Sequence, residues 1–172
     1  MDAAAEAEFA DLVRTRWSNL VRAAIFLGAA ASDAEEIAQL TLVRCYAKWH
    51  RVVAAQNREA YVYRMLLNQF RDTRRTRWWR SRIDVQPEAL PDHGVADASD
   101  RIALTDAVDR ALDGLSQEHR EVVVLRYFVQ LTEAQTADAL GIAPGTVKSR
   151  LSRSLAHLAG SAHLSDLAEE HR

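Results

Sequence analysis

Apolar residues recur along most of the chain at steps of three and four, the period of an amphipathic helix, and nowhere alternate as a half-buried strand requires. Phe9, Leu12, Val13, Trp17, Leu20, Ala24 and Leu27 trace a first helix that should end near Gly28. Ser32 and Glu35 have capping-box spacing and predict a second, long helix from Asp33 to about Val52, with Ile37, Thr41, Leu42, Cys45 and Trp49 inward. Asn57 is a candidate cap for a third helix through Tyr61, Val62, Met65, Leu66 and Phe70. The period fails over residues 81–100, SRIDVQPEALPDHGVADASD, where two of the three prolines, Gly94 and scattered acids predict a linker. It resumes from Arg101 with Leu104, Val108, Ala111 and Leu112. The expected fold is all-α: two small helical domains, 1–80 and 101–159, joined by a flexible acidic linker, with a polar tail at 160–172.

The segment Leu131 to Leu158, LTEAQTADALGIAPGTVKSRLSRSLAHL, carries the most specific pattern. Thr132 and Gln135 form a second capping-box spacing, Ala134, Ala137 and Leu140 share a face, and Gly141 supplies the left-handed residue that stops a helix. Pro144 then suits the first turn of a new helix, whose predicted buried stripe is Val147, Leu151, Leu155 and Leu158. Thr146, Lys148, Ser149, Ser152 and Arg153 are left outward, a set suited to phosphate oxygens and base edges. A preceding helix in LSQEHREVVVLRYFV, capped by Ser116, would complete a trihelical core with Leu115, Val122, Val123, Leu125, Arg126 and Phe128. The C-terminal domain is therefore expected to be a helix-turn-helix that places a helix in the major groove of DNA.

The formal net charge of −2 argues at first against a nucleic-acid binder, but the charges are segregated. Six arginines lie between residues 71 and 82 against one acid, whereas residues 84–113 hold eight acids and two arginines. In YVYRMLLNQFRDTRRTRWWRSR, at 61–82, Asn68, Asp72 and Arg75 fall at i, i+4 and i+7 on one helix face. Arginines beside Trp78 and Trp79 combine phosphate contacts with stacking surfaces for unpaired bases. Cys45 has no disulfide partner and reads as a small core residue. No apolar run is long enough to span a bilayer and the start MDAAAEAEF is acidic, so a cytoplasmic location is expected, with no membrane contact.

The order of these segments resembles the bacterial RNA polymerase sigma factors of the small extracytoplasmic-function group, over about Phe9 to Leu158. SDAEEIAQLTLVRCYAKW at 32–49, EAYVYRMLLNQFRDTRR at 59–75 and LTEAQTADALGIAPGTVKSRLSRSL at 131–155 carry the likeness, and RYF before the LTEAQTADALG-type helix is similar to the actinobacterial, SigE-like branch. The resemblance implies that the first stretch docks on the clamp helices of the largest subunit of core RNA polymerase, through Asp33, Glu35, Glu36 and Gln39. It implies that the second recognises the promoter −10 element and holds a melted strand, through Asn68, Asp72, Arg74, Arg75 and Arg77. It implies that the third reads the −35 element as duplex, through Thr146, Lys148, Ser149, Arg150 and Arg153. The expected partners are core RNA polymerase and promoter DNA, and the family's regulation adds an anti-sigma factor as a candidate. The chain departs from the family pattern at Leu40, where a glutamate is common, at Tyr61, where a tryptophan is common, and in LSQEHREVVVLRYF, which lacks the usual leading proline.

Two other classes of protein compete with this expectation. An autonomous dimeric helix-turn-helix regulator explains the C-terminal segment equally well, but not the asparagine, aspartate and arginine cluster of the other half. An enzyme would need chemistry that is missing: the six histidines show no HExxH or Cys/His ligand spacing, and there is no P-loop or dinucleotide glycine pattern. No catalytic residue, metal, cofactor or small-molecule substrate is expected.

Overall fold

The computed structural model describes residues 2–82, 108 and 110–160, with side chains up to Thr76 in the first stretch. The expected linker beyond Arg82, together with Arg101 and Leu104, the tail beyond Gly160 and the side chains of Arg77, Trp78, Trp79, Arg80 and Arg82 lie outside these residues. Among the described residues the secondary structure is entirely helical.

Helix α1 (Ala3–Phe26) starts at Asp2, whose carboxylate accepts from the Ala5 amide at 2.8 Å. It ends before Gly28, which sits at φ 101°, a left-handed conformation that a side chain would strain. Helix α2 (Ala31–Ala47) begins two residues earlier than the capping-box spacing suggests. Its N-cap is Ala30 with no side-chain cap, so Ser32 lies inside the first turn and the Ser32–Glu35 box does not form. The long helix expected to Val52 also breaks at Lys48, and α3 (Trp49–Ala54) follows as a separate short helix. Trp49, the first residue of α3, meets Phe9 of α1 edge-on at 5.4 Å, beside Tyr46 of α2 at 5.1 Å. Helix α4 (Arg58–Arg82) starts as predicted, with Asn57 Oδ1 accepting from the Ala60 amide at 2.8 Å.

Residues 110–113 are helical and lead into α5 (Gln117–Val123), which widens into a π-helical turn over Val124–Phe128. Ser116 holds the N-cap position, but its hydroxyl pairs with His119 Nδ1 at 2.7 Å and caps no amide. Helices α6 (Glu133–Leu140) and α7 (Pro144–Ala159) complete the chain. The Thr132 and Gln135 box is complete in both directions, at 3.2 and 2.7 Å, and Gly141 takes φ 69° and ψ 36°. Ala134 is exposed, so the buried face of α6 is Thr136, Ala137 and Ala139 instead.

On α7 Leu155 is 39% exposed and Ser154 is buried. The stripe therefore runs Val147, Leu151, Ser154 and Leu158, steps of four, three and four that track one helix face better than a run of fours. Ser154 is accommodated because its hydroxyl donates to the Arg150 carbonyl at 2.8 Å.

Helices α1, α2 and α4 pack into one bundle around Leu20, Leu27, Ile37, Leu66, Leu67 and Phe70, while α5, α6 and α7 pack on one another. The two units are not independent bodies. Helix α4 packs along α6, α1 meets the π-helical turn, and one buried apolar cluster joins the N-terminal bundle to Leu112, Val123, Leu125, Leu131 and Ala139. Phe128, expected in the trihelical core, is 40% exposed and stacks on Phe26 of α1 at 4.1 Å instead. The extra residue of the π turn re-aims that ring away from the C-terminal core.

Candidate nucleic-acid and polymerase interface

The outward face of α7 is what the turn before it exposes. Gly141 and Pro144 set a tight change of direction, and Val147 anchors α7 on Val122 and Ala137. Lys148, Ser149 and Arg153 are exposed, and Thr146 and Arg150 are half-buried. These five predicted residues fall together along the first three turns of α7, but they are not equally available. Arg150 Nη2 is 2.5 Å from Glu118 Oε2 of α5, so its guanidinium already has an ionic partner, and Ser149 donates to the Thr146 carbonyl. Lys148 and Arg153 project into solvent.

On α4 Asn68 and Arg75 are exposed and Asp72 is half-buried, so the predicted polar face exists. Asp72 lies between two guanidinium groups, 3.3 Å from Arg44 of α2 and 3.4 Å from Arg75. Its carboxylate thus orients Arg75 and ties α4 to α2. Arg74 points elsewhere: it stacks over the Phe70 ring at 5.6 Å and donates to Gln117 of α5 at 2.6 Å. The side chain of Arg77 lies outside the described residues.

On α2 Glu35, Glu36 and Gln39 are exposed and Asp33 is half-buried. Between and beyond them the helix exposes Leu40, Val43 and Tyr46, an apolar row at steps of three. Sequence reading missed Val43 and Tyr46, though the signal was present: they lie opposite the stripe Ile37, Thr41, Leu42 and Cys45, which is fully occupied in packing against α1 and α4. The Tyr46 ring also meets Phe9 of α1 edge-on at 5.1 Å, so the outward apolar surface of α2 centres on Leu40 and Val43. Cys45 is inert core: burial pushes its thiol from 9.0 to about 11. Among the described residues no group of three or more His, Cys, Asp or Glu is placed to hold a metal, and no helix is long and apolar enough to cross a membrane.

Other residues missed from the sequence join the two units. Arg71 of α4 grips Glu121 of α5 through two bonds, Nε to Oε1 at 3.2 Å and Nη2 to Oε2 at 2.6 Å. Arg120, nearly buried, donates to the Phe26 carbonyl at 2.5 Å and to Asp113 at 2.6 Å, and Gln117 donates to the Leu27 carbonyl at 3.2 Å. Arg64 of α4 donates to the Asp138 carbonyl of α6.

A helical DNA-reading unit, coupled to a second helical unit with its own polar and basic face, is the class of protein that the fold and these faces define. Residues 105–158 match the family described as sigma-70, region 4. The chain is 39% identical over 153 residues to the RNA polymerase sigma-E factor of Streptomyces avermitilis, covering 88% of this chain and 83% of that one. It is 34% identical over 139 residues to the ECF RNA polymerase sigma factor SigL of Mycobacterium tuberculosis, covering 77% and 76%. Its fold is similar to that of the sigma factor RpoE in complex with the anti-sigma factor NepR from Bartonella quintana, with a TM-score of 0.72 and 28% identity, over 88% of this chain and 94% of that one. The chain belongs to the extracytoplasmic-function group of bacterial RNA polymerase sigma factors, on its sigma-E-like side.

Proposed function

We propose that this sigma factor divides its work between the two helical units. It directs core RNA polymerase to promoters, and it does so without catalysis of its own. The unit at 1–80 docks on the clamp helices of the largest polymerase subunit through Asp33, Glu35, Glu36 and Gln39, with Leu40, Val43 and Tyr46 supplying the apolar part of that contact. Asn68, Asp72, Arg74, Arg75 and Arg77 on α4 then read the −10 element and hold the opened strand. The unit at 101–159 presents Thr146, Lys148, Ser149, Arg150 and Arg153 to the −35 duplex. Residues 81–100 join the two, and the protein works in the cytoplasm, where an anti-sigma protein is a fitting regulator.

The observation that carries the reading is the exposed polar face of α7 behind a fully capped α6 and a left-handed Gly141, in a chain that also exposes a separate polar face on α4. Promoter-specific run-off transcription with purified core polymerase tests it. Specific product that requires this protein, together with weak DNA binding by the protein alone, is the expected result. Tight binding of a palindromic site without polymerase, and no specific product with it, identifies a dimeric regulator and overturns the proposal.

A further inference from the structure

A cavity of about 130 Å³ lies between α1, α4 and the π-helical turn, apart from the faces assigned above to polymerase and DNA. Helix α1 contributes Arg16, Asn19 and Arg22, at steps of three that keep them on one side of the helix. Phe26 and Phe128, stacked at 4.1 Å, supply an apolar wall. Helix α4 contributes Tyr63, which is only 3% exposed, yet its hydroxyl pairs with no group among the described residues. Buried phenol hydroxyls normally have a partner, so one that opens onto a cavity is a donor for whatever occupies it.

The polar groups around the cavity are donors. Asn19 Oδ1 accepts from Arg22 Nη2 at 2.6 Å, which leaves the Asn19 amide N–H groups and the rest of the Arg22 guanidinium to donate. Arg16 Nη1 is held by Glu59 at 2.8 Å and keeps its other N–H groups. Among the described residues no carboxylate lines the cavity and no acid pairs with Arg22, so the site carries a positive charge that is not matched. Burial and the Glu59 charge push the Tyr63 phenol up to about 12, while Arg16 and Arg22 pull it the other way. The phenol therefore stays protonated and able to donate at neutral pH, and both guanidinium groups lie close enough to act on it.

The volume limits what fits. A drug-sized ligand needs roughly 300–1,000 Å³, so this cavity takes only a small group. Two guanidinium groups, an amide and a phenol converge on it from two helices, more donors than the two oxygens of a carboxylate can use and a match for the several oxygens of a phosphate. We infer that the cavity binds a phosphate group, held by Arg16, Asn19, Arg22 and Tyr63. The group arrives either as free inorganic phosphate or as the phosphate end of a nucleotide whose base stays outside. The site shares no residue with the faces proposed for polymerase and DNA, so the inference stands or falls independently of that reading.

The test is calorimetric titration of the full chain without polymerase, at an ionic strength of about 0.15 M to screen loose attraction to surface cations. The probes are inorganic phosphate, adenosine 5′-monophosphate and acetate. One phosphate should bind per chain, with acetate at least about ten-fold weaker for want of oxygens to meet the donors. Phosphate at about 100 times its dissociation constant should raise the midpoint of thermal unfolding by roughly 5 °C.

Tyr63→Phe removes the hydroxyl and keeps the ring, and should weaken binding about ten-fold, the usual loss for one hydrogen bond to a charged group. Arg22→Gln should weaken it at least as much and, because Arg22 is exposed, should leave the fold intact by circular dichroism. Arg14→Gln, which alters an exposed cation of the same helix outside the cavity, should change nothing. Tighter binding of the nucleotide than of free phosphate assigns the group to a nucleotide, and binding no tighter assigns it to the free ion. Absence of binding by both phosphates overturns the inference. So does binding that a folded Tyr63→Phe or Arg22→Gln variant leaves unchanged, or that Arg14→Gln weakens equally.

Discussion

Arg150 offers a quantitative test of how α7 meets the −35 duplex, because the free protein already gives its guanidinium a partner. Arg150 Nη2 lies 2.5 Å from Glu118 Oε2, with the glutamate side chain 67% exposed and the arginine 22%. An ion pair this open to water is worth roughly 0.2–1 kcal/mol. An arginine contact to a guanine edge is worth about 1–3 kcal/mol. To make that contact Arg150 must leave Glu118, so Arg150→Ala forfeits the contact less the ion pair, a net loss of about 1–2 kcal/mol, or roughly 5- to 30-fold. Glu118→Gln removes the competitor and should tighten binding by up to about 5-fold, provided Arg150 is present to benefit. The assay is a double-mutant cycle of holoenzyme affinity for a promoter duplex, found by transcription-start mapping, at one fixed salt concentration. If Glu118 acts by competing for Arg150, the Glu118→Gln gain vanishes in the Arg150→Ala background. A gain that persists there reflects only the lost negative charge near phosphate, and an Arg150→Ala variant of unchanged affinity shows that Arg150 never leaves its glutamate.

Three further outcomes follow from the geometry. Lys148→Ala should weaken duplex binding similarly at all sequences and reduce the slope of log affinity on log salt by about 0.9; an unchanged slope removes Lys148 from the phosphate contacts. Gly141→Ala should cost roughly 1–2 kcal/mol in urea unfolding, and Gly141→Asn less, because a Cβ at that position meets nothing within 4 Å and only the left-handed φ of 69° is strained; equal costs for both would point to a clash instead. With its thiol raised from 9.0 to about 11, Cys45 should alkylate at pH 8 at least about 100-fold slower in the folded protein than in urea. The folded state favours the neutral thiol, so this contribution to stability is complete below about pH 9 and is lost as pH rises toward about 11; an equilibrium unfolding series that is flat across that window contradicts it.

Much of this protein is legible without coordinates because it rests on interactions that span three or four residues. The caps at Asn57 and Thr132, the stop at Gly141, the start at Pro144 and the buried positions of α2 and α4 are set by local bonding and by helical period, which a sequence displays directly. The same local order places the candidate faces of α2, α4 and α7. Where local reasoning failed, a tertiary contact outweighed it: Lys48 breaks a helix where Trp49 turns onto Phe9, Leu155 yields its buried place to Ser154, and Phe128 leaves its own unit for Phe26. Only the tertiary structure decided that the two halves share a core, and which arginines of α4 face solvent and which face Glu121 and Gln117. Those partners stand 43 and 50 residues away along the chain, and the Arg120 bond to Phe26 spans 94. Contacts at such separations leave no period for a sequence to show, because their geometry depends on how whole helices pack.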